Sequence, residues 1–229
     1  MEEENVKLGL KYLDELDNQA ELWRPKSWTN KEENEKAIRE KKINRLLDTN
    51  GASPLHVALH PVNVSNFSME KIKYLVQNKC DVNSKDKHGM TPLILAAINQ
   101  KVRLELISFL FENKAELNLC NPQNQNALLF ASMNDSVTLE MIKYMVENKS
   151  DVNLKDTEKN SPLHYSTEKK NPSLEIISYL IQNKAEINNK NKWNTSPIEL
   201  ASCNQQLKTQ IQEAGSDSIQ NYFNQFQNN

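Results

Sequence analysis

The chain has 229 residues, 28 basic and 30 acidic, for a formal charge of −2; only 38% of it is hydrophobic and its mean hydropathy is −0.73. Such a balance gives no electrostatic case for nucleic acid or an anionic membrane as partner, and no stretch approaches the ~18 apolar residues of a membrane-spanning helix. A compact globule of this length is usually richer in apolar residues, so a fold with more surface per residue fits better.

The opening MEEENVKLGL is acidic and lacks the apolar run of a secretory signal, so the expected setting is the cytoplasm or nucleus. Asn5–Leu22 reads as an amphipathic helix with Val6, Leu10, Leu13 and Leu16 on its apolar face. The segment Trp23–Trp28, with Pro25 inside it, breaks that helix. Asn30 and Glu33 then form a candidate capping box for a second helix reaching about Leu47, with Ala37, Ile38, Ile43, Leu46 and Leu47 inward. Residues 1–47 are thus a helical extension or a degenerate first copy of a repeat.

From residue 48 the chain repeats plainly. Ser53-Pro54-Leu55, Thr91-Pro92-Leu93, Asn126-Ala127-Leu128, Ser161-Pro162-Leu163 and Ser196-Pro197-Ile198 succeed one another at steps of 38, 35, 35 and 35 residues. A second pattern keeps the same period: KYLVQNKCDVN from Lys73, SFLFENKAELN from Ser108, KYMVENKSDVN from Lys143 and SYLIQNKAEIN from Ser178. Ser or Thr before Pro is a helix start, because the hydroxyl caps free amides and Pro is tolerated in the first turn. A short helix with small residues such as Ala96 and Ala97 comes next, then a polar turn. The second helix carries Leu106, Ile107, Leu110 and Phe111 as one apolar stripe. No single helix pair buries such a stripe alone, so the units must stack.

These motifs resemble the ankyrin repeat over roughly residues 48–214, in about five copies. The resemblance implies an all-α solenoid of stacked antiparallel helix pairs with projecting finger loops, whose usual role is protein recognition through the fingers and inner helices. The period departs from the family's ~33 residues, the extra residues falling between the paired helices, near Asn134–Val137 and Lys170–Pro172, with a longer insert at His60–Ser68. The family's glycine after the second helix is replaced by Lys79, Lys114, Lys149 and Lys184, and its finger glycine survives only at Gly51 and Gly89, with Asn124, Lys159 and Asn194 elsewhere. Lys enters left-handed backbone less readily than Gly or Asn, so strain or an altered turn is expected there.

The final unit reads as a polar cap, with a second helix about Asn204–Ala214, and residues 215–229 as a tail or short capping helix carrying Ile219, Tyr222, Phe223 and Phe226.

Nothing in the chain spells catalysis, a cofactor or a metal. There is no phosphate-cradling glycine loop and no zinc spacing. His56 and His164 occupy the repeat's own histidine position and are expected to bond the Ser at the unit's start. His60 and His88 are expected at the surface. Cys80, Cys120 and Cys203 cannot all pair with one another, which fits free thiols in a reducing compartment, with Cys80 in the core and Cys120 at a finger. The expected activity is therefore non-catalytic binding of another protein by a monomer acting as adaptor, scaffold or inhibitor; the alternatives are a secreted effector using the same face in a host cell, or the substrate-recruiting part of an enzyme. By the family's geometry the partner meets Lys87, His88, Met90, Gln123, Gln125, Glu158, Asn160, Lys192 and Trp193 on the fingers, and Ile98, Met133 and Asn134 on the first helices. Met90, Met133 and Trp193 are the expected anchors, being apolar where the framework does not require it.

Overall fold

The computed structural model describes residues 2–20, 31–41, 43, 46–48, 50–61, 68–100, 103–201, 209 and 213. These contain helices α1 (Glu2–Ala20), α2 (Lys31–Arg39), α3 (Pro54–Leu59), α4 (Met69–Gln77), α5 (Pro92–Ile98), α6 (Leu104–Glu112), α7 (Ala127–Met133), α8 (Leu139–Glu147), α9 (Pro162–Glu168), α10 (Leu174–Gln182) and α11 (Pro197–Leu200), and no strand among the described residues. The chain divides into two compact units, residues 1–122 and 123–229.

In the first unit α1 packs on α2 and α3, α3 on α4 and α5, and α5 on α6. Leu55, Leu59, Ile72, Leu75, Leu93, Ile94, Leu106, Ile107 and Leu110 are sealed from solvent there. In the second unit α7 packs on α8 and α9, α9 on α10 and α11, and α8 on α10, around Leu128, Leu129, Ile142, Met145, Leu163 and Leu180. Ala96, Ala97, Ala131, Ser132 and Ser166 are buried on the first helices, where small side chains let neighbours approach.

Each first helix starts at a cap. Thr91 Oγ1 accepts from the Ile94 amide at 3.2 Å, and Asn126 Oδ1 from the Leu129 amide at 3.0 Å, so Asn126 does the work of the missing Ser-Pro. At Ser196 the cap is reciprocal: its amide and hydroxyl both donate to Glu199 Oε2, at 2.7 and 3.0 Å.

The second helices α4, α6, α8 and α10 end the same way. The amides of Lys79 and Cys80 donate to Val76 and Leu75 carbonyls, and the pairs at Lys114–Ala115, Lys149–Ser150 and Lys184–Ala185 repeat this 5→2 and 6→1 pattern. That is the Schellman geometry, which requires a left-handed residue at its centre. The four lysines supply it at φ of 66°, 73°, 70° and 69°. The turn is therefore kept rather than altered, and the cost is carried as backbone strain. A side-chain clamp adds support: Asn83 Nδ2 donates to the Lys114 carbonyl (2.8 Å) while its Oδ1 accepts from the Glu116 amide (2.9 Å). Asn153 does the same to Lys184 and Glu186, at 2.9 and 3.0 Å.

The N-terminal region differs from expectation in extent. α1 begins at Glu2, with Val6, Leu13 and Leu16 buried and Leu10 half-buried. α2 ends at Arg39 instead of continuing toward Leu47, because Lys41 is left-handed at φ 52° and its amide turns back to the Ile38 carbonyl. Ala37, Ile38, Ile43 and Leu46 are buried as expected, but Leu47, past that stop, is 51% exposed. The Trp23–Trp28 break, the Asn30 cap, the second helix of the last unit apart from Thr209 and Glu213, and the tail from 215 lie outside the described residues.

Candidate protein-binding surface

The fingers are built by one side chain each. Asp86 Oδ1 accepts from the amides of His88 and Met90, both at 2.9 Å; Asp156 serves Glu158 and Asn160 identically. Asn191 serves Trp193 and Thr195 at 3.0 Å each. The finger centres are left-handed: Gly51, Gly89, Asn124, Lys159 and Asn194 all have φ between 58° and 72°. Successive fingers are laced by backbone bonds, Lys87 to Asn50 (2.9 Å) in the first unit, and Thr157 to Gln123 and Lys192 to Glu158 (both 3.0 Å) in the second. Pro122 takes the place of Lys87, Thr157 and Lys192 in its own finger and has no N–H to give.

The two repeat histidines belong to this framework. Nδ1 of His56 accepts from the Ser53 amide at 3.2 Å, and Nδ1 of His164 from the Ser161 amide at 3.1 Å. An Nδ1 that accepts leaves the proton on Nε2. Nε2 accordingly donates to the Met90 carbonyl (3.0 Å) from His56 and to the Thr195 carbonyl (3.3 Å) from His164. Burial lowers the pKa of His164, opposed by its bonds to the neighbouring carbonyls, so the ring is held neutral. Both nitrogens are thus used in fixing the next finger. Cys80 is buried with its thiol pushed up to about 11 by burial, the wrong direction for a nucleophile. Cys120 is half-buried, and Cys203 lies outside the described residues. Among the described residues no group of three or more His, Cys, Asp or Glu could hold a metal ion, and no helix is long and apolar enough to cross a membrane.

The expected contact residues fall into three groups. Lys87, His88, Gln123, Lys192 and Trp193 are exposed, and Trp193 most tellingly: it is 64% exposed on a turn pinned at both ends by Asn191. Met90, Ile98, Gln125, Met133 and Glu158 are half-buried. Glu158 pairs with Lys192 at 3.1 Å, and Met90 Sδ lies 3.9 Å from Asn121 Nδ2. Asn134 and Asn160 are not at the surface as expected: they are 9% and 5% exposed. Asn134 caps α7, and its carbonyl accepts from Lys169 Nζ at 2.6 Å. Asn160 Oδ1 accepts from Asn191 Nδ2 at 2.9 Å, tying two fingers together.

One polar cluster in the second unit went unforeseen. Tyr165 Oη donates to Asp156 Oδ2 at 2.5 Å, and Gln125 Nε2 donates to the same oxygen at 3.3 Å. Burial first, then the bond to Asp156, pushes the Tyr165 phenol up to about 12. The only cue in the sequence is a tyrosine where the other units carry Val57, Leu95 or Phe130.

A family model described as ankyrin repeats matches the chain in three copies, over residues 33–119, 101–191 and 128–209. The chain belongs to the ankyrin-repeat family. Ankyrin repeats bind other proteins and are generally non-catalytic, and the finger turns and capped helix pairs above are the parts from which such a repeat is made. No curated protein shows significant similarity to the chain.

Proposed function

We propose that this ankyrin-repeat protein is a non-catalytic adaptor, scaffold or inhibitor that holds a protein partner on its finger turns, with Trp193 as the principal anchor. The observation that carries this is a large aromatic side chain standing in solvent on a turn whose backbone Asn191 bonds at two amides. Aromatic anchors dominate binding energy when they are already ordered before contact, since little entropy remains to be lost. Met133, half-buried in the same unit, is the second anchor, and Met90 plays that part in the first unit.

A protein fits the surface better than nucleic acid. Several finger lysines already have acceptors: Lys192 on Glu158 (3.1 Å), Lys155 on Glu186 (3.4 Å), Lys190 on Glu199 (3.2 Å) and Lys85 on the Cys120 carbonyl (2.7 Å). A phosphate backbone would have to compete with each. The same reading makes the chain a cytoplasmic monomer that meets its partner in solution.

Affinity capture from cell lysate tests the proposal, with the wild type compared against Trp193→Ala and a Met90/Met133/Trp193 triple alanine variant of unchanged melting temperature. Trp193→Ala should weaken the captured complex by more than ~1 kcal/mol, about fivefold or more in Kd. Capture of the same proteins at the same strength by the triple variant would sink the reading.

A further inference from the structure

We propose that the notch at the start of α10 is a binding site for a single carboxylate group. The notch lies within the second unit, on the turn side of α9 and α10, and is independent of the finger surface. It is lined by Ser166, Lys169, Asp135, Asn171 and Ser173, with Val137 and Ile176 as its apolar part. Asp135, Val137 and Asn171 belong to the stretches by which these repeats exceed the usual length, near Asn134–Val137 and Lys170–Pro172.

Three features converge there. The first is the N-terminus of α10, a nine-residue helix whose opening amides carry partial positive charge. The second is Lys169, whose Nζ is held 2.6 Å from the Asn134 carbonyl and retains further donors for an incoming oxygen. The third is Ser166, 3% exposed, whose Oγ has no hydrogen-bond partner. A buried hydroxyl left unpaired is costly, so its presence in the lining of a cavity points to an occupant. Burial also lowers the Lys169 pKa, with the charge of Asp135 acting the other way, as expected of an amine facing a partly closed space.

Size and charge choose the ligand. The cavity is about 40 Å³. One water needs roughly 10–15 Å³ on that measure, so a group of three heavy atoms fits. A carboxylate offers one oxygen to Lys169 and the other to Ser166. A phosphate is bulkier and would bring a second negative charge against Asp135. The carboxylate's source is either a small free acid or an acidic side chain.

Titration of the isotopically labelled full chain with sodium acetate at constant ionic strength, followed by NMR, tests the site. The expected result is saturable shifts confined to the Ser166, Lys169 and Leu174 amides, absent with chloride. Lys169→Met should weaken the response about tenfold or more, since it removes the charged donor. Asp135→Asn should tighten it about threefold by removing a like charge. Repeating the titration with N-acetyl-aspartate amide separates the sources: a response to both probes admits a side-chain carboxylate, and a response to acetate alone restricts the site to free acids. Shifts that do not saturate, that appear equally with chloride, that survive in Lys169→Met, or that fail to tighten in Asp135→Asn overturn the proposal. Should Lys169→Met not fold, the Asp135→Asn result decides alone.

Discussion

His164 Nε2 lies 3.3 Å from the carbonyl oxygen of Thr195, thirty-one residues further on, while its Nδ1 accepts from the Ser161 amide at 3.1 Å. One neutral imidazole therefore fixes both the start of α9 and the base of the following finger. His164→Ala leaves a buried amide and a carbonyl without these partners, each worth about 1–3 kcal/mol. The expected loss is about 2–4 kcal/mol, read from urea unfolding of the full chain. A loss below ~1 kcal/mol would mean that the bridge contributes little.

The same ring makes stability depend on pH with a fixed sign. Burial holds the folded His164 pKa below the unfolded value near 6.5, so the unfolded chain takes up a proton that the folded one refuses. Its contribution is complete above pH 6.5 and is lost as pH falls below 6.5 toward the folded value. Unfolding free energies at pH 7.5, 6.5 and 5.5 should decline at the acid end. In His164→Gln the decline should be shallower, and an unchanged slope would assign it to other groups.

Gly89 and Gly51 share a left-handed backbone, at φ 72° and 68°, but not the same surroundings. A Cβ on Gly89 would stand 2.5 Å from Pro122 Cδ and 3.2 Å from Asn121 Cα, whereas on Gly51 the nearest atom is 3.6 Å away. Gly51→Ala should therefore cost only the conformational penalty, about 1–2 kcal/mol. Gly89→Ala adds a clash with a rigid ring, so its melting temperature should fall clearly further. Equal losses would show that the Pro122 ring moves aside freely.

The four left-handed lysines after the second helices invite the opposite change. Replacing Lys114 by Gly relieves strain of about 1 kcal/mol, less the extra backbone entropy glycine brings to the unfolded chain. A net gain of about 0.5 kcal/mol is expected from Lys114→Gly, and thermal melting of the variant carrying all four substitutions should show the sum. Lys114→Val, β-branched at the same φ, should destabilise.

Those lysines mark where the sequence was legible and where it was not. Helix starts could be read because a cap is local: Ser53, Thr91, Ser161 and Ser196 announce themselves within four residues, and Asn126 does so by period alone. The lysine positions were equally plain, but survival of the turn was not. It rests in part on Asn83 clamping the Lys114 carbonyl from 31 residues earlier, a contact with no local trace. The burial of Asn134 and Asn160 is hidden in the same way. An asparagine beside a finger or at a helix end looks like surface until Lys169 and Asn191 arrive from the following repeat. The exposure of Trp193 is legible because nothing in the repeat's framework asks for an aromatic there.

Lys71 shows how one contact can be separated from the repeat that carries it. Its counterparts in the later second helices, Leu106, Met141 and Ile176, are apolar and buried. Lys71 is 8% exposed, and its Nζ meets Glu15 Oε2 of α1 at 2.6 Å. Beside it Tyr74 Oη donates to the Asn5 carbonyl at 2.7 Å, and Tyr74 stands edge-on to Tyr12. A buried ion pair is a poor source of stability compared with apolar packing, yet breaking it from one side is costly, because the remaining charge stays buried. Glu15→Ala, which strands Lys71, should destabilise the first unit by about 1–3 kcal/mol, the half-exposed carboxylate keeping the figure at the lower end. Lys71→Met, which copies the later repeats, should be neutral or stabilising, and the double variant should recover most of what Glu15→Ala lost. Urea unfolding of the three variants provides the double-mutant cycle. If Lys71→Met proves as damaging as Glu15→Ala, the pair holds α1 in place by its charge and not merely by filling the gap.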